Sequence, residues 1–372
     1  MEQGISIVVP TKSRVGYLEQ LLMSLEVAKE RITKPVQIVI VDDSSKKEAK
    51  LIKTLCGSHG GEYFYHHGGL SNKRNFGVTQ ADFPFILFVD SDCWVHPDAL
   101  EEHLKSYTDE SIGGCLGITE FKGDRRNIWN VVEKMPFLHP YQFAKHWEYV
   151  SWGPCTNISF RKKVLDDVGG FANILPPKEG GEDVDLGYRV QGMGYKIKCN
   201  SKAIAYHTRE TWSSWVALIE RAFRWGRAEY YLLTRHQKSS YYEIPKPVLL
   251  FGILLIISLY GSFRAHILSL ILFPFLWLLI AILIQGFLVS YRRRPGSFWK
   301  EAIYSSLSIM VDFIFELGMI IECLRHGKMR LMPLKFVYVE GQLYGRWQWG
   351  VIKTWSFVIS FLILYSVYTI LL

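Results

Sequence analysis

The sequence lacks the cysteine spacing of a zinc site or a disulfide framework. Its six cysteines are scattered over 372 residues without a CxxC pair, and this distribution predicts reduced thiols. The start of the chain also lacks the basic region and apolar core of a signal peptide, because residues 1–4 lead directly into a strand-like run. We therefore expect the N-terminal half to remain in the cytoplasm.

Internal repeats and low-complexity tracts are absent too, but the composition changes sharply at about residue 245. Before this point charged and apolar residues alternate as in an α/β domain, whereas long runs rich in Leu, Ile, Phe and Trp follow it. The net charge of +8 does not indicate nucleic acid. The basic residues after position 245 cluster beside the apolar runs, as at residues 292–294, which favours a membrane surface with anionic lipid.

The first hundred residues have the pattern of a βαβ series. Residues 5–10 and 36–41 are continuous apolar runs, typical of strands buried on both faces of a parallel sheet, and helical spacing of leucines lies between them. Further strands are predicted at 62–65 and 85–89. These runs predict an α/β fold with a Rossmann-type, mostly parallel sheet flanked by helices. Such sheets bind ligands beyond the carboxyl ends of their strands.

Acidic residues stand at these predicted strand ends. Asp90 and Asp92 follow the strand of residues 85–89, and side chains two apart in an extended segment point the same way. Two converging carboxylates can hold Mg2+ or Mn2+, which retains open positions for the phosphates of a nucleotide. Solvated turns also carry acidic residues, so the triplet alone leaves both interpretations open.

Other polar residues follow the first two predicted strands. Asp43 can accept hydrogen bonds from a nucleotide base or ribose, although the same residue type also suits the cap of the next helix. Thr11 and Arg14 after the first strand, and Arg74 in the next helix, offer amides and cations to a diphosphate. Surface charge is the alternative for each of them.

Six segments occur in an order that resembles glycosyltransferase family 2, over residues 5 to about 210. They are ISIVVPTKSR, IVIVDDSS, SNKRNFGV, FVDSD, WGPCTNISFRKKVLDDVGGF and GGEDVDLGYRVQGMGYKI. The resemblance implies a GT-A fold and a nucleotide-sugar donor held by the following residues: Pro10, Thr11, Arg14, Asp43, Arg74 and Asp90. It also implies a Mn2+ or Mg2+ site at Asp90 and Asp92, with His207 as a later ligand. A structural role is the alternative for His207, since a lone histidine is more often structural than a ligand.

The resemblance further implies that Asp183 is the catalytic base of an inverting transfer. A base of this kind takes a proton from an acceptor hydroxyl while the hydroxyl attacks the anomeric carbon from the face opposite the nucleotide. A free aspartate is a weak base, so burial or neighbouring carboxylates such as Glu182 would have to raise its pKa. The alternative is that these acidic residues only favour the N-terminus of a helix.

The acceptor side is implied by the same resemblance. The residues expected there are Trp152, Gly153, Asn157, Glu182, Arg224 and Trp225. A tight turn is an equal alternative for residues 152–157. Residues 221–225 resemble the QxxRW motif of processive synthases in the family, but Arg221 replaces the glutamine, which argues against processivity.

The C-terminal part is predicted to be helical and membrane-associated. We predict a catalytic domain at 1–211, an amphipathic interface helix and linker at 212–244, and transmembrane helices at 245–372. A buried helix of a soluble domain is the alternative for 212–236. The predicted spans are 247–262, 267–290 and 355–372. Residues 303–323 carry Asp312, Glu316 and Glu322, which are costly at membrane depth, so we expect them to be interfacial or packed against other helices. A fourth span is the alternative.

Together these features predict a multi-pass enzyme of the cell membrane with a cytoplasmic catalytic domain. It would transfer a sugar, most simply from a UDP-sugar, to a lipid-linked or membrane-proximal glycan of the cell envelope. A processive polysaccharide synthase and a non-catalytic membrane scaffold are the alternatives. A nucleotidyltransferase would need a glycine-rich loop after the first strand, and PTKSR contains no glycine.

Overall fold

The computed structural model describes residues 4–173, 180–243, 246–293, 297–338, 358–362 and 365. Its strands are β1 (Ile5–Thr11), β2 (Val36–Asp42), β3 (Glu62–Tyr65), β4 (Phe85–Phe88), β5 (Cys93–Val95), β6 (Ile112–Lys122), β7 (Tyr149–Val150), β8 (Ile158–Arg161), β9 (Lys196–Thr208), β10 (Ser240–Tyr242) and β11 (Leu334–Phe336). Its α-helices are α1 (Val15–Glu30), α2 (Lys46–Ser58), α3 (Leu70–Thr79), α4 (Ala99–Lys105), α5 (Trp129–Val132), α6 (Lys162–Val168), α7 (Glu182–Gly192), α8 (Trp215–Arg235), α9 (Pro247–Ala265), α10 (Phe273–Arg293) and α11 (Phe298–Arg325).

The chain divides into two compact units. The first comprises Met1–Arg125 and Phe137–Thr211, and the second comprises Arg126–Pro136 and Trp212–Leu372. The segment Arg126–Pro136 lies in the second unit, where Lys134 Nζ is 2.6 Å from the Glu301 carboxylate of α11. The domain bounds given above stay a prediction.

The first unit is built on one mixed sheet. The strand order is β3-β2-β1-β4-β8-β6-β9-β5, and β7 pairs with β9. Strands β3, β2, β1 and β4 are parallel neighbours, whereas β8 runs antiparallel to β4 and β6. Strands β6 and β9 are also parallel neighbours. The predicted α/β class with a mostly parallel sheet flanked by helices is therefore confirmed.

Burial on both faces explains the continuous apolar runs of the parallel strands. All seven residues of β1 are buried, and helices α1 and α2 cover one face with a core that includes Leu18, Leu22 and Ile52. Helix α3 lies close to β1, because a Cβ atom at Gly77 would collide with the Val8 side chain. This close packing brings the N-terminal part of α3 next to the strand ends.

The second unit is mainly helical. Helices α8 and α11 pack so closely that a Cβ atom at Gly226 would collide with the Phe315 carbonyl oxygen. The acidic Glu322 of α11 is 2% exposed and accepts hydrogen bonds from Arg227 Nε at 2.7 Å and from the Tyr231 hydroxyl at 2.9 Å. Glu322 of α11 thus faces another helix of the same unit.

Two helices within the described residues are long and apolar enough to cross a membrane. They are Pro247–Arg264 and Leu268–Arg292, and they correspond to the first two predicted spans. The third predicted span, 355–372, lies largely outside the described residues. Helix α11, which covers the predicted segment 303–323, is not one of these two helices.

Candidate functional site

The ends of β1 and β2 bring the first polar residues together. Thr11 pairs with Asp42 at the last position of the two strands, so Asp43 follows at the same edge. Asp43 accepts a hydrogen bond from Lys73 Nζ at 2.7 Å and a longer one from Lys12 at 3.4 Å. Burial raises the pKa of Asp43, but the hydrogen bond and charge of Lys73, with those of Lys12, outweigh burial and lower it overall. Asp43 is therefore a carboxylate at neutral pH.

The two adjacent aspartates at the end of β2 have different surroundings. Asp42 is fully buried, and its carboxylate accepts hydrogen bonds from the Ser44 amide at 3.0 Å and from the Tyr63 hydroxyl at 3.1 Å. These bonds hold the turn between β2 and α2. Asp42 is thus part of the framework, and Asp43 remains the candidate for contact with a nucleotide.

Lys73 was not among the predicted site residues, although it precedes Arg74. Its ammonium group is 5% exposed and also donates to the Thr11 carbonyl oxygen at 2.8 Å, so it joins the ends of β1 and β2. The hydroxyl of Thr11 is buried without a hydrogen-bond partner among the described residues. The sequence signal for Lys73 is its place in the segment SNKRN, directly before Arg74, which the sequence analysis favours as the cation.

Arg74 joins two acidic residues from distant parts of the chain. Its guanidinium is 2% exposed and donates to the Asp90 carboxylate at 2.9 Å and to the Glu182 carboxylate at 2.6 Å. The guanidinium also lies over the Phe171 ring, 5.4 Å from its centroid. The predicted donor residue Arg74, the predicted metal-motif residue Asp90 and the predicted acceptor residue Glu182 are therefore in one cluster.

The second aspartate of the motif, Asp92, faces different partners. Its carboxylate lies 2.6 Å from the Arg14 guanidinium and 3.6 Å from His207 Nε2. Strand pairing explains the second distance, because Cys93 of β5 is opposite His207 of β9. The structure thus brings together the predicted residues Asp92, His207 and Arg14.

The donor atoms at this position suit a divalent cation. His207 Nδ1 lies 2.7 Å from the Thr208 carbonyl oxygen, which can only accept, so Nδ1 carries a hydrogen and Nε2 is the ring nitrogen that faces Asp92. A divalent cation between the two could bind both the imidazole nitrogen and the carboxylate. Cys93 offers a third nearby atom, but burial raises the pKa of its thiol well above the usual value. The oxygen and imidazole ligands fit Mn2+ or Mg2+ better than a thiol does.

Asp183 lies in the first turn of α7, which begins after Gly181 in a left-handed conformation at φ 89°. One carboxylate oxygen accepts a hydrogen bond from the Val184 amide at 2.8 Å. Burial and the charge of Glu182 raise the pKa of Asp183 to about 7, against the opposing effect of Arg74. A carboxylate with this pKa can accept a proton near neutral pH.

The predicted acceptor segment is packed into the first unit. Trp152 lies against α7, since a Cβ atom at Gly187 would be 2.5 Å from the Trp152 Cβ atom. The Asn157 side chain is fully buried and donates to the carbonyl oxygens of Ile118 and Ala203, both at 2.8 Å. A Cβ atom at Gly153 would collide with Leu116. Asn157 therefore holds the sheet together, which disagrees with the predicted contact to an acceptor.

Arg224 and Trp225 belong to the second unit and not to the unit that contains the other site residues. Trp225 contacts Trp212 edge to face with ring centroids 5.8 Å apart, and the Arg221 guanidinium lies 3.9 Å from the Trp212 centroid. The arginine that replaces the motif's glutamine thus stacks on tryptophan. An acceptor role for Arg224 and Trp225 stays a prediction.

The fold and the acidic strand ends define a GT-A-like domain. Residues 6–169 match the family model of glycosyl transferase family 2. The chain therefore carries a glycosyl transferase family 2 domain, as the resemblance of its motifs predicted.

Two relatives and one solved structure illustrate the similarity. The chain is 26% identical over 248 residues to chondroitin synthase of Pasteurella multocida, which covers 55% of this chain and 24% of that protein. It is 24% identical over 229 residues to glycosyltransferase GlyA of Streptococcus pneumoniae, which covers 56% of this chain and 31% of GlyA. This chain thus spans a quarter to a third of the length of these relatives.

The solved structure is the mannosyltransferase PcManGT from Pyrobaculum calidifontis in complex with GDP-Man and Mn2+. It has a TM-score of 0.55 to this chain at 16% identity and covers 87% of this chain and 88% of its own. The two proteins share the fold.

Proposed function

We propose that the chain is a metal-dependent, inverting glycosyltransferase that moves a sugar from a nucleoside diphosphate sugar to an acceptor at a membrane. The observation that carries the proposal is the contact of Arg74 with both Asp90 and Glu182. This contact joins the candidate metal motif to the helix that bears the candidate base. An inverting transfer needs these two features on opposite sides of one anomeric carbon.

The chain's own residues supply the following steps. Asp43, fixed by Lys73, accepts hydrogen bonds from the nucleotide. Arg14 is 40% exposed at its side chain and is available to the diphosphate. Asp183 accepts the proton of the acceptor hydroxyl as the hydroxyl attacks the anomeric carbon. Asp92, His207 and Asp90 would hold Mn2+ or Mg2+, which neutralises the departing diphosphate when bound.

A UDP-sugar is our first choice of donor, because a carboxylate such as that of Asp43 can accept a hydrogen bond from a base N–H group. The Mn2+ and GDP-Man of PcManGT support the choice of metal and leave a guanine nucleotide as the second donor to test. The donor sugar is decided by the same experiment.

The acceptor is proposed to be a lipid-linked or membrane-proximal glycan of the cell envelope. Helices α9 and α10 expose large apolar side chains, as expected of surfaces that face lipid. They include Ile256, Ile257, Phe263, Leu279 and Leu283. We therefore place the protein in the cell membrane as a multi-pass protein with its first unit in the cytoplasm. An anchor of this kind keeps enzyme and amphiphilic acceptor in one plane.

The test is release of nucleoside diphosphate by the detergent-solubilised full chain. A panel of UDP-, GDP- and dTDP-sugars is supplied with lipid extract and either Mn2+ or Mg2+. Asp92→Ala and Asp183→Asn are measured beside the wild-type protein, and Lys105→Ala on the exposed face of α4 is the matched control. Metal-dependent release that both site variants abolish, and the control retains, supports the proposal. No release and no nucleotide binding would indicate a non-catalytic scaffold.

Processive synthesis remains the second candidate, because one relative is a polysaccharide synthase by name. The size of the product separates the two. One sugar added per acceptor favours the single transfer, whereas a polymer retained by the enzyme favours a processive synthase.

A further inference from the structure

The Glu182 carboxylate is already bound by a side chain of the same unit, that of Arg74. It accepts a hydrogen bond from Arg74 Nη1 at 2.6 Å, and the Glu182 side chain is 11% exposed. The expected role in acceptor binding would require this carboxylate to exchange a buried charged hydrogen bond for a sugar hydroxyl. Such an exchange is unfavourable, because it leaves a buried guanidinium with one partner fewer.

Arg74 is equally occupied. It is 2% exposed, and its two terminal nitrogens donate to Asp90 and Glu182. Arg74 therefore links Asp90, which lies shortly after β4, to Glu182 in the first turn of α7. This link fixes the position of α7 relative to the end of β4. Asp183 is the next residue of that turn.

We propose that Glu182 and Arg74 are positioning residues for Asp183, and that neither binds the sugar of the donor or the acceptor. Arg74 holds α7 at a fixed distance from the metal motif, and Glu182 is the carboxylate through which it does so. The inference rests on the proposed function, since it gives the pair a role in the action of Asp183 as a base.

Two charged groups act on the Asp183 carboxylate from the elements around it. Burial raises the pKa of Asp183 most, the charge of Glu182 on the same helix turn raises it further, and Arg74 of α3 lowers it. The Cys155 thiol, between β7 and β8, interacts with Asp183 as well, but burial raises the pKa of this thiol well above the usual value, so it adds no charge. Removal of one charge should therefore shift the titration of Asp183 in a direction that depends on which charge is removed.

The experiment compares Glu182→Gln, Arg74→Lys and Arg74→Met by the pH dependence of kcat in the full chain. Glu182→Gln is expected to move the acid limb to lower pH by about half a unit or more, because a like charge is lost. Arg74→Met is expected to move the limb to higher pH, and Arg74→Lys, which keeps the charge, to move it less. Glu30→Gln, on the exposed end of α1, is the control and should not move the limb.

The acceptor KM distinguishes positioning from binding. For Glu182→Gln we expect a KM within about threefold of the wild-type value, since a lost sugar hydrogen bond to a charged group would cost about tenfold or more. An acceptor KM raised tenfold with an unmoved acid limb would overturn the proposal and return Glu182 to the acceptor site.

A second measurement does not depend on turnover or on Arg74→Met folding well. Because folding raises the pKa of Asp183, the contribution of this residue to the free energy of unfolding is fully present below its pKa in the unfolded chain. That contribution is lost as pH rises through about 7. Glu182→Gln should lose less Tm between pH 5 and pH 8 than the wild-type protein does. An equal loss in both would overturn the coupling of Glu182 to Asp183, whereas a wild-type protein without nucleotide release would count against the proposed function alone.

Discussion

The Arg14 guanidinium lies 2.6 Å from the Asp92 carboxylate, and the same carboxylate lies 3.6 Å from His207 Nε2. A cationic side chain thus neutralises the carboxylate expected to bind a divalent cation. The Arg14 side chain is 40% exposed and belongs to the residue just before α1, so it can leave Asp92 for a diphosphate. Binding of metal and binding of nucleotide should therefore be coupled through Arg14.

Arg14→Gln is expected to bind Mn2+ more tightly than the wild-type protein when no nucleotide is present. The gain should be up to about fivefold, because a partly exposed ion pair contributes about 1 kcal/mol at most. Nucleoside diphosphate should bind more weakly to the same variant. Calorimetric titration of Mn2+, with and without nucleotide, measures both effects. Lys12→Gln, whose side chain contacts Asp43 and not Asp92, should leave Mn2+ affinity unchanged.

Asp183→Asn should lower kcat by about a hundredfold or more, since it removes the general base and keeps the side chain's shape. Donor binding should change little. The acid limb of the wild-type pH profile is expected near the pKa of about 7, with activity falling as the carboxyl is protonated below it.

The same variant gives a prediction for stability. Because folding raises this pKa, the charged carboxylate destabilises the protein above pH 7, and Asp183→Asn should raise Tm at pH 8 more than at pH 5. A Tm change that is equal at both values would contradict a buried, high-pKa carboxyl. Thermal melts of the detergent-solubilised full chain measure the difference.

Lys73→Met should destabilise the first unit and weaken nucleotide binding. The substitution removes the 2.7 Å hydrogen bond from Lys73 and leaves Asp43 with the exposed Lys12 at 3.4 Å, at a cost of about 1–3 kcal/mol. The lowered pKa of Asp43 contributes stability above the unfolded value of 3.8, which is lost as pH falls through the folded pKa. The difference in Tm from wild type should thus be larger at pH 7 than at pH 3. Lys105→Met, on an exposed ion pair, should change Tm little at either pH.

The parallel half of the sheet could be predicted from the sequence because burial on both faces produces continuous apolar runs. Strand β6 was not predicted, since Gly113, Gly114 and Gly117 interrupt its apolar pattern. The structure gives a reason for Gly117, where a Cβ atom would collide with the Ala203 carbonyl oxygen of β9. That contact joins residues far apart in the chain, so local periodicity cannot predict it.

In the site, as in the sheet, local patterns could be predicted from the sequence and long-range contacts could not. Asp90, Asp92 and Asp183 stand in local motifs, and His207 follows a recognisable strand-like segment. Their partners could not be predicted, because Arg74 joins Asp90 across 16 positions and Glu182 across 108. For Asn157 the local motif predicted a contact with the acceptor. In the structure its side chain instead donates hydrogen bonds to backbone carbonyl oxygens of residues distant in the chain.

The close packing of α8 on α11 provides the last prediction, for the second unit. A Cβ atom at Gly318 would collide with the Phe223 carbonyl oxygen, and one at Gly226 with that of Phe315, so neither backbone can accommodate a methyl group without moving. Gly226→Ala and Gly318→Ala should therefore each lower the Tm of the detergent-solubilised chain, by an amount that corresponds to about 1–3 kcal/mol. Gly252→Ala is the matched control, because a Cβ atom there meets no heavy atom of the described residues within 4 Å. It should be neutral or slightly stabilising, since alanine favours helix over glycine by about 1 kcal/mol. If all three variants melted together with the wild-type protein, α8 and α11 would not be packed through these glycines.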